Sequence, residues 1–142
     1  MTALTLAQSN TILNAALAKA SSDGHRPMTA VVIDASGHLI AMQRQDGASM
    51  FRIDIATGKA WAAVAMGVPN SRALVQRAAD NPNFFAALAA AGQGKFIPQT
   101  GAVLILDPHG NVLGAAGASG GTGDQDEAIC LHGVQAAGLA VG

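Results

Sequence analysis

The stretch that decides the fold is Gly114-Ala-Ala-Gly-Ala-Ser-Gly-Gly-Thr-Gly-Asp-Gln-Asp-Glu127. It follows a strand-like run ending at Leu113 and precedes a helix-like run that we expect to end near Ala140. Because glycine adopts positive φ without steric cost, the stretch predicts a bare loop that a ligand or another backbone can approach closely. The unpaired N–H groups of the following helix would face this loop, an arrangement that binds anions in many folds. The alternative is a tight turn with Thr122 or Asp124 as helix N-cap and nothing bound.

Length and composition indicate how many domains the chain has and which partners it can bind. A chain of 142 residues predicts one domain spanning 1–142 with a proper core. Half of the residues are apolar and 12% are charged, too few charges to coat every surface of a monomer, so we predict a homo-oligomer. The net charge of −1 without a Lys/Arg cluster argues against a nucleic-acid partner.

The same composition carries expectations about location and metals. No run approaches the ~18 apolar residues of a membrane span, and the N-terminus lacks a signal-peptide pattern, so we expect a cytoplasmic protein with no membrane partner. The one cysteine, Cys130, excludes an internal disulfide and a Cys-based zinc site. The four histidines lack metal-ligand spacing, so no metal site is predicted.

Local patterns predict the order of the elements. Thr5 and Gln8 form a capping-box pattern ahead of a first helix that stops at Gly24. Two hairpins share an Asp-to-Gly turn, one from Asp34 and one from Asp107. Between them we expect helices with small side chains, of which one begins at Ile53 and another at Pro82. The predicted order is αββα(α)αββα. This is an α+β fold with a single antiparallel sheet of two hairpins, four to five strands, covered by helices.

Four motifs resemble a known family: Ala30–Leu39, Arg44–Ala48, Lys59–Ala63 and Val112–Glu127. On these motifs the chain resembles the GlcG/HbpS family of haem-binding-type domains, which includes the C-terminal domain of PduO-type proteins. The resemblance implies a profilin-like fold that assembles into dimers, tetramers or octamers. For some members it implies haem binding, haem or iron sensing, or a place in glycolate or diol operons. Gln45 departs from the family pattern, where methionine is common.

A ligand site is predicted where the glycine loop, the connector from Phe96 to Thr100 and two cations converge. Arg44 and Lys59 would give charge-assisted hydrogen bonds to a carboxylate or a haem propionate, or else form surface ion pairs with Asp46 or Asp54. The expected ligand-binding residues are Arg44, Lys59, Phe96, Pro98, Ser119, Gly120, Gly121 and Asp124.

The acidic residues and the haem-ligand candidates leave alternatives open. Asp124, Asp126 and Glu127 suit the positive end of the last helix dipole, whereas an acid/base role would need one of them buried with a raised pKa. If haem binds, His25 is the preferred axial ligand and Met28 is the alternative.

Three functions fit this sequence. The first is an oligomeric domain that binds haem or a small anionic ligand, with a role in haem or iron handling or sensing. The second is an enzyme acting on a small oxo- or hydroxy-acid, with Arg44 or Lys59 anchoring the carboxylate and a residue near Ser119 or Asp124 moving a proton. The third is a structural subunit whose glycines only permit close packing between subunits.

Overall fold

A computed structural model describes residues 3–142 and contains an α+β fold around one five-stranded antiparallel sheet. The helices are α1 (Leu6–Ser22), α2 (Phe51–Met66), a 3₁₀ turn (Ser71–Leu74), α3 (Val75–Asp80), α4 (Pro82–Ala91) and α5 (Gly123–Ala136). The strands are β1 (Thr29–Asp34), β2 (Leu39–Arg44), β3 (Ala102–Leu106), β4 (Val112–Ser119) and β5 (Ala140–Val141). The predicted fold class and element order are confirmed.

The sheet joins the two hairpins through their inner strands, in the order β2-β1-β4-β3-β5. Thr29 pairs with Arg44 on one side and with Ser119 on the other, so these three residues form one row across three strands. Residues directly opposite each other in an antiparallel sheet point to the same face. The register therefore places a hydroxyl, a guanidinium and a second hydroxyl along one line at the end of the sheet.

Helices cover both faces of the sheet. Side chains of α1 and α5 pack on one face with Ile12, Met28 and Ile105, while α2 packs on the other face against Val31 and Leu104. A third cluster, which contains Phe85 and Phe96, lies beside α2. Within residues 3–142, no helix has both the length and the apolar character needed to cross a lipid bilayer.

Short-range sequence signals explain the helix cap of α1 and the two hairpin turns. The Thr5 hydroxyl accepts from the Gln8 N–H, and the Gln8 side chain accepts from the Thr5 N–H, which is the predicted capping box. In the first hairpin turn, the Asp34 carboxylate accepts two backbone N–H groups while Gly37 takes a φ of 86°. Asp107 does the same in the second turn.

The glycine-rich stretch differs from the predicted bare loop. Its first six residues continue β4 as far as Ser119, and only residues 120–122 separate that strand from α5. A Cβ at Gly117 would collide with the Ala56 carbonyl oxygen and lie 3.1 Å from the Ala60 Cβ. The small residues are needed because α2 packs directly on the central strand, so there is far less open loop than expected.

Two helix boundaries also differ from the predictions. Helix α5 ends at Ala136, not near Ala140, because Gly138 turns the chain with a φ of 74° and residues 140–141 then pair with β3. Helix α2 begins at Phe51, two residues before the expected Ile53.

The contact between α2 and β4 generates a stability prediction. Gly117→Ala should lower the free energy of unfolding by about 2 kcal/mol, because the new Cβ must push α2 away from the sheet. Urea denaturation measures the change, and Ala86→Ser on the exposed side of α4 is the control that also adds one heavy atom. An unchanged midpoint for Gly117→Ala would contradict the close packing of α2 on β4.

Candidate functional site

The most buried charged group of the protein lies where α2, β4 and α5 meet. Lys59 and Asp126 are 5% and 2% exposed, and Lys59 Nζ lies 3.0 Å from Asp126 Oδ2. Lys59 Nζ also donates to the Ala118 carbonyl oxygen at 3.1 Å, and Asp126 Oδ1 accepts the Gly121 N–H at 2.9 Å. Hydrogen bonds on both partners offset much of the cost of burying the two charges.

This arrangement corrects the expectation for Lys59. The predicted surface partners Asp46 and Asp54 do not pair with it, and Asp126 does. Burial raises the pKa of the Asp126 carboxyl above its ordinary value, although the Lys59 ammonium and the Gly121 N–H favour the ionised form. Asp126 thus has the burial and the raised pKa that an acid/base role would require of a carboxyl at the start of α5.

A cleft of about 460 Å³ opens above the ion pair, between α2 and the start of α5. We name it the Lys59 cleft. Its walls come from α2, the connector before β3, the end of β4 and the first turn of α5, and its main residues are Arg52, Ile55, Lys59, Ile97, Gln99, Thr100, Ser119, Gly121, Asp124 and Asp126. Thr122 caps α5 here by a capping box with Gln125, which settles the two N-cap alternatives in favour of Thr122.

Arg52 is a feature of this cleft that the sequence analysis did not select. Its half-buried side chain donates from Nη1 to the Ser119 hydroxyl at 3.3 Å. Ser119 is 1% exposed, so this contact lies deep in the cleft. The signal in the sequence was the position of Arg52 on the helix that carries Lys59, seven residues earlier.

A second, larger cleft of about 640 Å³ lies between α1 and the edge strand β2. We name it the His25 cleft. Its lining residues are Leu17, Ala18, Ser21, His25, Pro27, Gln43, Arg44, Gln45 and Asp46. Its lining combines His25 and Arg44 with apolar residues, and its volume falls in the range of small-molecule sites.

The end of α1 fixes the backbone at His25. Gly24 adopts a φ of 71°, and the His25 N–H donates to the Ala20 carbonyl oxygen at 3.0 Å, as in a glycine-terminated helix. The imidazole is 17% exposed, and its Nε2 lies 3.9 Å from Asp23 Oδ2. The ring is therefore held at the cleft wall with one carboxylate beside it.

Gln45 anchors the floor of the same cleft. Its side-chain oxygen accepts the Met28 N–H at 2.9 Å, and its amide nitrogen donates to the Ser21 hydroxyl at 3.1 Å. The residue that departs from the family pattern thus ties α1 to the start of β1.

The structure divides the predicted site residues between several places. Lys59, Ser119, Gly121 and Asp124 line the Lys59 cleft. Arg44 lines the His25 cleft instead, and within residues 3–142 it forms no ion pair with Asp46, Asp54 or any other carboxylate.

The other predicted residues lie outside both clefts. Phe96 is 5% exposed and stacks edge-to-face on Phe85, with ring centroids 5.8 Å apart. Pro98 is half-buried and lines neither cleft. Gly120 takes a φ of 145°, which favours glycine, and a Cβ there would also collide with the Pro27 carbonyl oxygen and lie 2.8 Å from the Met28 Cα.

Met28 is the alternative haem ligand among the predicted residues. Met28 is fully buried in the core beside Gly120 and Gly121, so it lies in neither cleft. In the part of the chain from residue 3 onward, no group of three or more His, Cys, Asp or Glu side chains is placed to hold a metal ion.

The buried ion pair generates a prediction about stability. Lys59→Met or Asp126→Asn should each cost about 3–5 kcal/mol, because each change leaves the other polar group buried without its partner. The double variant should lose less than the sum of the single losses, as measured by urea denaturation. The control, Arg72→Met, removes a pair with Glu127 in which the Arg72 side chain is 58% exposed, and it should cost less than about 1 kcal/mol. Additive losses at Lys59 and Asp126 would show that the two side chains do not stabilise each other.

Comparison with known proteins places the chain in a family. The model of the HbpS-like family, described as haem degrading protein, matches residues 4–135. The comparison with curated proteins finds no match.

Solved structures give the same result. A PduOC haem complex is 25% identical with a TM-score of 0.86, covering 98% of each chain. A double mutant of HbpS from Streptomyces reticuli is 27% identical with a TM-score of 0.78, covering 95% of this chain and 87% of that one. The ORFY protein of Klebsiella pneumoniae shares the fold at 24% identity, with a TM-score of 0.86, over 97% of this chain and 93% of that one. The chain therefore belongs to the HbpS-like family.

Proposed function

We propose that this protein binds haem in the His25 cleft, with the His25 imidazole as axial ligand of the iron. The observation that carries the proposal is the similarity to a PduOC haem complex over 98% of both chains. Membership of a family described as haem degrading supports the same ligand.

The residues of the His25 cleft suit a haem group. Haem iron takes a histidine as proximal ligand in several protein classes, and His25 is the one histidine that lines this cleft. Leu17, Ala18 and Pro27 offer apolar contacts for a porphyrin face. Arg44 also lines the cleft, is exposed and has no carboxylate partner within the described chain, so we expect it to pair with a propionate.

The chemistry that a bound haem would supply is ligand binding or one-electron chemistry at iron, and the protein would orient the group. The Asp23 carboxylate lies 3.9 Å from His25 Nε2, close enough to favour one ring orientation. Met28 does not fit the same role, because its burial beside Gly120 means that β1 would have to move before its sulfur reached a ligand.

The axial-ligand assignment is tested by titrating the purified apo-protein with haemin and following the Soret band. The native protein should bind one haemin per chain, and His25→Ala should weaken binding by about tenfold or more and shift the band. His38→Ala is the matched control, since that side chain is 80% exposed on the hairpin turn at the opposite end of β1. It should leave the titration unchanged.

Two outcomes would contradict the proposal in different ways. Featureless, non-saturating binding by the native protein would overturn haem as the ligand. Saturable binding that His25→Ala leaves intact would keep haem and remove His25 as its ligand.

We also propose that the protein acts as a homo-oligomer. The low charged fraction of 12% supports this, as do five large apolar side chains that are more than half exposed: Leu6, Leu39, Met50, Phe51 and Phe84. Light scattering should give a mass that is a multiple of the 14.2 kDa chain, with and without haemin. A mass of one chain at micromolar concentration would contradict this.

A further inference from the structure

The Lys59 cleft contains an arginine, Arg52, whose charge partly offsets the rise that burial causes in the pKa of Asp126, although Lys59 and not Arg52 is the ion-pair partner of that carboxylate. Within residues 3–142, Arg52 forms no ion pair, and the 3.3 Å contact with Ser119 engages only one of its five N–H donors. The side chain is half-buried, so water solvates it incompletely. A planar guanidinium in this position matches the two oxygens of a carboxylate.

Two hydroxyl groups lie around Ser119, the residue that Arg52 contacts. Thr29 is fully buried, and its Oγ1 has no hydrogen-bond partner among residues 3–142. It lies directly opposite Ser119 in the sheet, on the same face. Thr100, which lines the cleft, donates no side-chain hydrogen bond to any of the described residues. Buried polar groups nearly always have a partner, so the unpartnered Thr29 hydroxyl, opposite the serine that Arg52 contacts, points to a polar ligand or water near this place.

The charges around the cleft define the ligand further. Lys59 and Asp126 neutralise each other at its floor, and the Asp124 carboxylate lies exposed at its rim. Arg52 is therefore the one cation of the cleft that is not already paired with a carboxylate. Ile55 and Ile97 are the apolar residues of the walls, so they would contact the carbon skeleton of the ligand.

We propose that the Lys59 cleft is a second ligand site, which binds a small carboxylate carrying an oxygen on the adjacent carbon, as in 2-hydroxy and 2-oxo acids. Arg52 binds the carboxylate, and the Ser119 and Thr100 hydroxyls serve the second oxygen. The site shares no lining residue with the His25 cleft, although a smaller pocket is lined by both Arg52 and Pro27, one residue from each cleft. It does not depend on haem binding.

The test is calorimetric titration of the haem-free protein with lactate, and with lactamide as a neutral isostere. Lactate should bind saturably with a dissociation constant on the order of 1 mM, and lactamide should bind at least about tenfold more weakly because it lacks the charge that Arg52 recognises. Propionate, which lacks the second oxygen, should bind more weakly than lactate.

Variants assign the binding to Arg52. Arg52→Gln should weaken lactate binding about tenfold or more, and Arg52→Lys should weaken it less, because the charge remains while the planar fork is lost. Arg77→Gln on α3 is the control that removes an arginine outside both clefts, and it should bind as the native protein does. Circular dichroism confirms that each variant is folded.

Three results would overturn the inference: no saturable lactate binding by the native protein, equal binding of lactate and lactamide, or native affinity in a folded Arg52→Gln variant. If Arg52→Gln does not fold, the comparison of lactate with lactamide on the native protein still decides. Displacement of lactate by haemin would contradict two separate sites. Failure of the haemin titration, with lactate binding intact, would remove the haem proposal alone.

Discussion

The buried ion pair between Lys59 and Asp126 joins the parts of this structure on which the Lys59 cleft depends. It connects the middle of α2 to the first turn of α5, and its two hydrogen bonds to the backbone hold the end of β4 and the loop after it. Two charges this deeply buried are stable only because each has further hydrogen bonds. The pair also requires a residue without a side chain at Gly101, since a Cβ there would lie 2.6 Å from Lys59 Nζ.

The pair also explains why the cationic residues have different roles. Lys59 is paired with Asp126 at the floor of its cleft. It therefore holds α2 and α5 together more than it offers a positive charge to a ligand. Arg52 and Arg44 lie at two different clefts, and neither has a carboxylate partner within residues 3–142. The sequence analysis expected one site with two cations, whereas the structure places one unpaired arginine at each of two clefts. This separation is the physical basis for proposing two ligands.

Local interactions made much of the fold predictable. The capping box at Thr5, the two Asp-to-Gly turns and the helix start at Pro82 depend on residues within a few positions of each other, so the sequence displays them directly. The end of β4 was mistaken for a loop because its small residues are required by tertiary contacts, such as that of Gly117 with α2, which comes from a distant part of the chain. A run of small residues looks the same in the sequence whether it permits a turn or a close contact between two elements.

The site was predictable only in part, for the same reason. Lys59, Ser119, Gly121 and Asp124 were selected and do lie around one cleft. Asp126 looked like one more acidic residue at a helix start, and nothing local distinguishes it from its exposed neighbour Asp124. Only the tertiary contact with Lys59, 67 positions away, reveals its burial.

The separation of the two ligands is the central claim, and paramagnetic NMR of the ferric haemin complex tests it most directly. Unpaired electrons on the iron broaden the amide signals of nearby residues, so a ¹⁵N-labelled sample maps where the haem lies. The account predicts broadening centred on His25 and on residues 43–46, with lactate still shifting the signals of Arg52 and Thr100 in the same sample. Broadening centred on Thr100 and Ser119, with His25 unaffected, would contradict it.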